Sequence, residues 1–438
     1  MEWWAQLIVI LGGLVVLMAA GIPVALAFFA VNTAAMVVLL GGFDALRQLI
    51  LSMYSSVSIF ALVPIPMFIL MGEIMFHSGV AFKMMDALDN WIGKVPGRLS
   101  LLAVAGGTLF ATLSGSSVAS TAMLGSILVP RMREQGYSQG MAIGPILGSG
   151  TLAAMIPPTA LGVLLASLAQ ISVGDFLLAI VVPGLVMALA FAAYIIVRCA
   201  LRPDIAPRYD LPPVPLRRKM AHTFKYILPL GTIIFLVIGL IVLGVATPNE
   251  AAALGALGSF VLAFVYNKGV KWQIVKKSLI GTLNVTGMIM LILAGSTAFS
   301  QLLAFTGATA ELVRVVTALS LPPIGIVVLM MAVLIVMGMF MEPLSILMIS
   351  LPLMIPVVRS LGINDIWFGT LVLLNMEMAA ITPPFGMSLF VMKGLLPGNV
   401  PMFDVYKASY AFFAIDILVM ALLILFPQLV LWLPGIGK

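Results

Sequence analysis

Hydroxyl and glycine residues cluster at 114–117 of an otherwise apolar chain, and a double proline follows at 157–158. Sodium is a hard cation that binds oxygen atoms, which hydroxyl groups and the unpaired carbonyls of broken helix ends supply. Small residues would also allow close helix packing, but a second cluster with the same order of features favours a cation site. The first candidate sodium and substrate site contains Ser114, Gly115, Ser116, Ser117, Gly150, Pro157, Pro158 and Thr159.

The second cluster lies in the other half of the chain and joins a segment around Glu342 to the double proline at 383–384. Ionised groups at membrane depth are costly and mark functional sites, which makes Glu342 the strongest candidate among the acids. Its carboxylate is predicted to face a cation or to cap a half-helix, and the first cluster has no matching acid. The second candidate site contains Gly338, Met341, Glu342, Thr382, Pro383, Pro384 and Gly386.

Four other acids leave two interpretations open, because each could act at membrane depth or lie solvated near a helix end. They are Glu73, Glu250, Glu377 and Asp416. His77 and His222 stand beside predicted helix ends and are interpreted as surface residues. The serines then lack a general base, so an intramembrane hydrolase is disfavoured and no catalytic residue is assigned.

The elements that position these residues must lie in a membrane. Of the 438 residues, 62% are hydrophobic and only 9% are charged, with a mean hydropathy of +1.21. Soluble domains are about one quarter charged, so a bilayer is the solvent that suits this chain. At roughly 20 apolar residues per crossing, it holds about ten to twelve spans and no separate soluble domain. The predicted fold class is an all-α polytopic membrane protein.

Several classes of function are excluded by the same sequence. No Gly-x-x-x-x-Gly-Lys-Ser/Thr loop occurs, so the chain is not expected to hydrolyse ATP. The net charge of +6 sits in short loops, which fits membrane orientation rather than nucleic-acid binding. The single cysteine, Cys199, excludes an internal disulfide. The expected driving force is therefore an ion gradient or a partner protein. Sodium is the expected coupling ion, with no other cofactor.

Short signatures recur at a constant offset and predict an inverted repeat. Pro157 and Pro383 are 226 positions apart, as are Pro130 and Pro356. Each half is predicted to hold a re-entrant helical hairpin and a helix broken by its double proline. The predicted segments are a first repeat 1–197 with hairpin 100–133 and broken helix 138–170, and a second repeat 226–438 with hairpin 323–358 and broken helix 366–395. Other helices are predicted near 5–20, 22–40, 58–77, 175–197, 226–245, 249–266, 281–305 and 405–434, and 308–320 is predicted as an amphipathic stretch.

Basic residues predict the orientation. Eighteen of the 22 Lys and Arg residues fall in five short clusters, and the positive-inside rule places such clusters in the cytoplasm. Both termini are then expected in the periplasm, with the first apolar run retained as a helix. The linker 198–225 is basic and proline-rich, and it is predicted to form an ordered cytoplasmic strap in contact with lipid headgroups.

Six motifs follow one another over nearly the whole chain. They are 21–25 (Gly-Ile-Pro-Val-Ala), 65–73 (Ile-Pro-Met-Phe-Ile-Leu-Met-Gly-Glu), 114–117 (Ser-Gly-Ser-Ser), 156–158 (Ile-Pro-Pro), 246–252 (Ala-Thr-Pro-Asn-Glu-Ala-Ala) and 381–386 (Ile-Thr-Pro-Pro-Phe-Gly). In this order they resemble the large membrane subunit of the tripartite ATP-independent periplasmic (TRAP) transporters. The resemblance implies an elevator-type fold, in which a scaffold holds a mobile domain of two hairpins and two broken helices with sodium at the hairpin tips.

The resemblance also implies a small four-helix membrane subunit and a periplasmic substrate-binding protein as partners, in a bacterial inner membrane. The implied substrate is a small organic anion such as a C4-dicarboxylate or a sialic acid. The small subunit is expected as a separate polypeptide. Two positions depart from the family, because Thr159 stands where serine is expected and Glu342 where aspartate is commoner. A stand-alone ion-coupled carboxylate symporter and a passive channel subunit stay open as alternatives.

Overall fold

The structure is a computed structural model that describes residues 2–39, 45–93, 95–207, 214–267, 269, 271–319, 321–398 and 400–436, with side chains at all of these except 81, 82 and 111–114. Every regular element in this part of the chain is helical. Inside a bilayer all backbone polar groups must be satisfied without water, and a helix satisfies them within one segment. The predicted all-α fold class is confirmed.

Seven stretches of described helix are long and apolar enough to cross a bilayer. They are Phe60–His77, Val173–Leu201, Leu216–Val242, Pro248–Asn267, Trp272–Phe305, Pro343–Ser360 and Met402–Leu425. Shorter apolar helices accompany them, because turns and breaks divide other apolar segments into pieces of less than spanning length. The chain is a multi-pass membrane protein.

The helices before the linker are α1 (Trp3–Ala19), α2 (Val24–Leu39), α3 (Ala45–Val57), α4 (Pro64–His77), α5 (Val80–Ile92), α6 (Arg98–Ser114), α7 (Ser117–Glu134), α8 (Gln139–Gly150), α9 (Ala160–Leu168), α10 (Val173–Ala179) and α11 (Val181–Leu201). Two of these, α3 and α5, have no counterpart among the predicted helices. Both carry polar residues along one face, so a search for continuous apolar runs passes over them.

The helices after it are α12 (Leu216–His222), α13 (Leu228–Val242), α14 (Pro248–Asn267), α15 (Trp272–Phe305), α16 (Ala308–Thr317), α17 (Pro323–Gly338), α18 (Pro343–Ser360), α19 (Asp365–Ala379), α20 (Met387–Leu395), α21 (Met402–Leu425) and α22 (Gln428–Ile436). The single helix predicted at 405–434 is wrong, because α21 ends before Pro427 and α22 begins after it. Proline lacks the backbone donor that a continuous helix needs.

The stretches predicted as hairpins hold two helices each, α6 and α7 in the first and α17 and α18 in the second. The second helix of each pair is followed by a glycine with positive φ, Gly136 at 74° and Gly362 at 67°. In both turns the next residue donates its N–H to the carbonyl five residues before it, at 2.9 and 3.1 Å. This is a glycine C-cap, and the two hairpins close with the same geometry.

Part of the linker packs against the amphipathic helix α5. The Trp91 indole Nε1 donates to the Thr223 hydroxyl at 2.7 Å, and His222 lies 3.3 Å from the Asn90 amide. A π-helical turn, Thr223–Ile227, joins α12 to α13 at this point. Residues 208–213 of the predicted strap lie outside the described part of the chain.

Two groups of helices meet around the candidate sites. In one, α4 packs against both α14 and α15, and α15 also contacts α2 and α3. There the Asn32 amide donates to the Gly295 carbonyl at 2.7 Å, and Phe28 occupies the space that a side chain at Gly295 would need. In the other, α8 contacts α6, α7 and α21, while α19 contacts α17, α18 and α21.

Candidate functional site

The two hairpin tips reach one cavity of about 630 Å³. Its wall includes Ser116 and Ser117 of the first tip, Glu342 of the second tip and Pro158 of the first helix break. Helices α4 and α15 contribute further wall residues. Residues of both candidate sites thus face one space, although they come from opposite halves of the chain.

The first tip is a two-residue turn between α6 and α7. Gly115 has a φ of 56°, a conformation that glycine adopts without steric cost. The Ser116 hydroxyl accepts a hydrogen bond from the Ala119 N–H at 3.3 Å and so caps α7, which begins at Ser117. A side-chain carbon at Gly115 would lie 3.7 Å from the Ala160 nitrogen, so the tip abuts the start of α9. The side chain of Ser114 lies outside the described part of the structure.

A carboxylate from the second half reaches this tip. Glu377, near the end of α19, accepts a hydrogen bond from the Ser117 hydroxyl at 2.8 Å. The backbone N–H of Ala154, in the first helix break, also donates to it. Glu377 is 2% exposed and borders the cavity. Two donors therefore hold a buried carboxyl group at the tip, where it can balance the charge of a cation.

Oxygen atoms collect around Gly150, the last residue of α8. A side-chain carbon at this glycine would lie 2.7 Å from the Thr121 hydroxyl and 3.2 Å from the Ser117 carbonyl oxygen. Thr121 is fully buried, and its hydroxyl has no hydrogen-bond partner among the described residues. An unpaired buried hydroxyl beside a carbonyl at a helix end offers the oxygen ligands that sodium requires. The donor set at the first tip therefore fits sodium.

The first helix break spans residues 151–159, between α8 and α9. The peptide bond between Pro157 and Pro158 is cis. The Thr159 hydroxyl accepts a hydrogen bond from the Gly162 N–H at 3.4 Å and caps α9. Pro158 borders the large cavity, whereas Pro157 is not among its described wall residues and lies near α10 and α13. The break therefore presents one of its two prolines to the cavity and uses its threonine to start a half-helix.

The second tip carries its own acid. Glu342 immediately precedes α18, and its Oε1 accepts a hydrogen bond from the Ser345 hydroxyl at 2.9 Å. The Glu342 side chain borders the cavity, and Met341 beside it is partly buried. Gly338 ends α17 at a close contact, because a side-chain carbon there would lie 2.8 Å from the Ala379 Cβ. Gly338 thus brings the second hairpin against the end of α19.

The second helix break spans residues 380–386 and also contains a cis peptide bond, between Pro383 and Pro384. The Thr382 hydroxyl donates to the Met378 carbonyl at 2.7 Å, and the Gly386 N–H donates to the Thr382 carbonyl at 3.0 Å. The turn is too tight for a side chain at Gly386. None of the four predicted residues of this break is among the described wall residues of the cavity.

Three of the four titratable side chains on the described cavity wall are glutamates, namely Glu73, Glu342 and Glu377. The fourth is His77, whose Nε2 lies 3.2 Å from the Glu73 Oε2 one helical turn away. The described wall has no Lys or Arg. The interpretation of His77 as a surface residue is wrong, because it borders the cavity and its side chain is only 26% exposed.

The structure separates the acids that the sequence left undecided. Glu250 is exposed at the start of α14 and accepts hydrogen bonds from the Thr247 backbone and hydroxyl, both at 2.8 Å. Glu377 and Asp416 are buried, so a solvated helix end is the wrong interpretation for these two. Each stands inside an apolar run rather than at its margin, and that position was the available sequence indication.

Comparison with known proteins agrees with this architecture. A sequence model of the family described as "Tripartite ATP-independent periplasmic transporter, DctM component" matches residues 11–429. The chain belongs to the DctM family. The resemblance to the large membrane subunit of TRAP transporters is therefore confirmed, and the DctM-family chain is a transporter subunit rather than an enzyme.

Named relatives of the DctM-family chain transport different compounds. It is 33% identical over 404 residues to the C4-dicarboxylate TRAP transporter large permease protein DctM of Pseudomonas aeruginosa, covering 92% of each chain. It is 28% identical to the sialic acid TRAP transporter large permease protein SiaM of Vibrio cholerae, covering 87% of this chain and 88% of the relative. The ectoine TRAP transporter large permease protein TeaC of Halomonas elongata is 27% identical, covering 94% and 95%.

Two solved structures share the fold of this DctM-family chain. The Alcanivorax borkumensis YdaH transporter superposes with a TM-score of 0.65 at 14% identity, over 91% of this chain and 90% of the other. Neisseria gonorrhoeae MtrF superposes with a TM-score of 0.62, also at 14% identity, over 88% and 85%. At this identity the likeness shows the fold alone.

Proposed function

We propose that this chain is the large membrane subunit of a sodium-coupled importer of a small organic anion, a carboxylate such as a C4-dicarboxylate or a sialic acid. A periplasmic binding protein delivers the substrate, and a small four-helix membrane subunit completes the complex. The chain lies in the bacterial inner membrane with its basic clusters in the cytoplasm and both termini in the periplasm.

The observation that carries the proposal is the cavity shared by both hairpin tips. Ser117 and Glu342 border the same space, and Glu377 reaches the first tip from the second half. Broken helices and re-entrant segments at membrane depth are typical of the substrate and ion sites of secondary transporters. The cavity is the site at which substrate and sodium meet.

Charge balance supports sodium coupling. Like charges repel strongly where water is scarce, so an anionic substrate would be repelled by the glutamates of the cavity wall. A sodium ion at each tip would offset Glu377 and Glu342 respectively. The substrate anion then binds well only when the tips hold sodium, and this dependence couples the two fluxes.

The ion ligands follow from the two tips. At the first, the Ser117 carbonyl and the Thr121 hydroxyl lie close to Gly150, with the Ser116 hydroxyl on the cavity wall. At the second, the carbonyls of the break around Thr382 and Gly386 are the proposed counterpart. The halves 1–197 and 226–438 are proposed to be the inverted repeats that relate these sites.

Transport is proposed to follow an elevator mechanism. The hairpins and broken helices, α6 to α9 and α17 to α20, form the mobile part, and α4, α14 and α15 belong to the scaffold. The cavity supports this division because its wall combines residues of α4 and α15 with residues of the tips. Sliding of the first group along the second would expose the cavity alternately to the two sides of the membrane.

The test is uptake into proteoliposomes that contain the chain and its small subunit, with the cognate binding protein outside. Radiolabelled succinate, N-acetylneuraminate and ectoine are the substrates compared. We expect saturable uptake of one of the two anions that requires both an inward sodium gradient and the binding protein. A control with potassium in place of sodium should show no uptake.

Other outcomes identify the alternatives. Uptake without sodium would reject the coupling, and uptake without the binding protein would indicate a stand-alone symporter. Flux that does not saturate and ignores the gradient would indicate a channel. Thiol labelling of a Ser138→Cys variant on a Cys199→Ala background reports the orientation, and reaction from the periplasmic side would contradict it.

A further inference from the structure

Asp416 is a buried acid that neither candidate site uses. It lies in the middle of α21, it is 0% exposed, and neither of its carboxylate oxygens has a hydrogen-bond partner among the described residues. An unpaired carboxyl group inside a membrane protein is costly, so it requires a positive charge or a donor. The chain itself supplies neither at this point of its described part.

The groups beside Asp416 are oxygen atoms. The Thr151 hydroxyl lies next to the carboxyl group, but it donates its proton to the Gly148 carbonyl at 2.8 Å. Only its lone pairs are then left for Asp416. Glu377 is near enough for the two carboxylates to repel each other, and it already accepts hydrogen bonds from the Ser117 hydroxyl and the Ala154 N–H. Acceptors therefore face acceptors, and a cation between them would satisfy both.

Within the described part of the chain, no cationic side chain on the helices packed against α21 compensates this charge. The helices packed against α21 are α8, α11, α19, α20 and α22. Their titratable groups are Tyr194, Arg198, Cys199, Asp365, Glu377 and Lys393. Both cationic members of this set are engaged elsewhere, Arg198 with the Tyr194 hydroxyl at 2.7 Å and Lys393 with the Val400 carbonyl. Of the titratable groups, Glu377 is the one whose charge acts on Asp416.

We propose that Asp416, Thr151 and Glu377 bind a third sodium ion, buried between the first helix break and α21 and separate from the sodium ions at the hairpin tips. The two carboxylate oxygens and the threonine hydroxyl are hard ligands of the kind that sodium prefers. Because α21 packs along α8, the ion would fix the last long helix to the first broken helix. The inference rests on the proposed sodium coupling and adds a site to it.

Sodium-dependent thermal stability of the purified membrane complex tests the third site without any substrate. Sodium replaces choline at constant ionic strength, from sub-millimolar to several hundred millimolar. Each independent site that binds only the folded state adds RT ln(1 + [Na⁺]/Kd) to the stability. With three sites in the wild type, Asp416→Asn should lower the slope of stability against the logarithm of sodium concentration by about one third. Asp404→Asn, at the partly exposed start of the same helix, is the matched control and should keep the full slope.

The outcomes separate this inference from the proposed function. If the wild type shows no stabilisation by sodium, the proposed coupling fails and the third site with it. If the wild type is stabilised and Asp416→Asn keeps the full slope, the third site alone is overturned. A full sodium slope together with loss of the pH dependence of stability would mean that Asp416 holds a proton, which also overturns the sodium site.

A second variant covers the case in which Asp416→Asn does not fold. Thr151→Val keeps the charge and the shape of the side chain but removes one oxygen ligand. We expect stabilisation by the third sodium ion to require about tenfold more sodium than in the wild type, because one contact to a charged group is lost. Stabilisation of Thr151→Val at the same sodium concentrations as the wild type would contradict the site.

Discussion

The two hairpin tips differ in backbone and in the source of their negative charge, because residues 115–116 form a two-residue turn in the first and residues 339–342 form a longer connection in the second. The first tip contributes hydroxyl groups and receives its carboxylate from Glu377, which belongs to the helix leading to the second break. The second tip contains Glu342, whose hydrogen bond comes from Ser345 within the same hairpin. The first tip thus receives its carboxylate from the other half of the chain, whereas the second tip contains both its carboxylate and the hydroxyl that donates to it.

This difference bears on how the two halves are coupled. The Ser117–Glu377 hydrogen bond links the first hairpin to α19, so a change at the first tip alters a contact with the second half of the chain. The Glu342–Ser345 bond stays local, and Glu342 remains partly open to the cavity. Water can therefore replace a lost partner at the second tip more easily than at the first. Substitutions at the first tip should have the larger effects.

Glu377→Gln should have the largest effect on sodium-driven uptake. The amide still accepts the Ser117 hydroxyl bond but removes the negative charge from a buried site. Loss of one partner of a buried ion pair costs about 3–5 kcal/mol, which is about a 100-fold or greater increase in the half-saturating sodium concentration. Uptake by proteoliposomes as a function of sodium concentration gives this half-saturating concentration.

Glu250→Gln is the matched control for this substitution. Glu250 is exposed and caps its own helix with Thr247, so its charge is remote from the cavity. The half-saturating sodium concentration of Glu250→Gln should equal that of the wild type. If Glu377→Gln and Glu250→Gln had the same half-saturating sodium concentration, sodium binding at the first tip would not depend on the Glu377 carboxylate. The contrast between the tips would then be lost.

Ser117→Ala should have an intermediate effect. The change removes the hydroxyl that holds Glu377 but leaves the Ser117 carbonyl in place. A lost hydrogen bond to a charged group costs roughly 1.5–3 kcal/mol, so the half-saturating sodium concentration should rise about tenfold or more. Ser126→Ala, which affects an exposed hydroxyl on the same helix, serves as control.

The same experiment distinguishes binding from packing at the first tip. Alanine fits a tightly packed tip as well as serine does, so fold and membrane insertion should survive. If the serine serves only close packing, Ser117→Ala should leave the sodium dependence unchanged while Ser117→Leu disrupts folding. That result would remove the hydroxyl of Ser117 from the site.

Much of the architecture could be predicted from the sequence because membrane solvation leaves few solutions. Apolar runs predict helices, and the repeated double prolines at 157–158 and 383–384 predict where helices are interrupted. The amphipathic helices α3 and α5 escaped prediction because neither has a continuous apolar run. The division between α21 and α22 was also missed, although Pro427 stands at the boundary.

The candidate site was less predictable, since it depends on contacts between distant segments. The serines of 114–117 are conspicuous in an apolar sequence, but nothing local indicates that Glu377 meets Ser117. The offset between the halves pairs Ser117 with the region of Glu342 and so conceals the contact that completes the first tip. Burial of Asp416 is similarly a property of its neighbours on α8, which the sequence of α21 does not reveal.

Ser345→Ala should have the smallest effect of the three tip substitutions. The change removes the hydroxyl that donates to Glu342 at 2.9 Å, but the carboxylate stays in place and borders the cavity, where water can take over as donor. The expected cost is roughly 0.5–1 kcal/mol, which is about a two- to fivefold increase in the half-saturating sodium concentration. Ser360→Ala, on the same helix with its hydroxyl bonded to the Val357 carbonyl, is the control. An effect of Ser345→Ala as large as that of Ser117→Ala would show that water does not replace the lost donor at the second tip. The two tips would then differ in sequence but not in the energetic cost of losing a hydrogen bond.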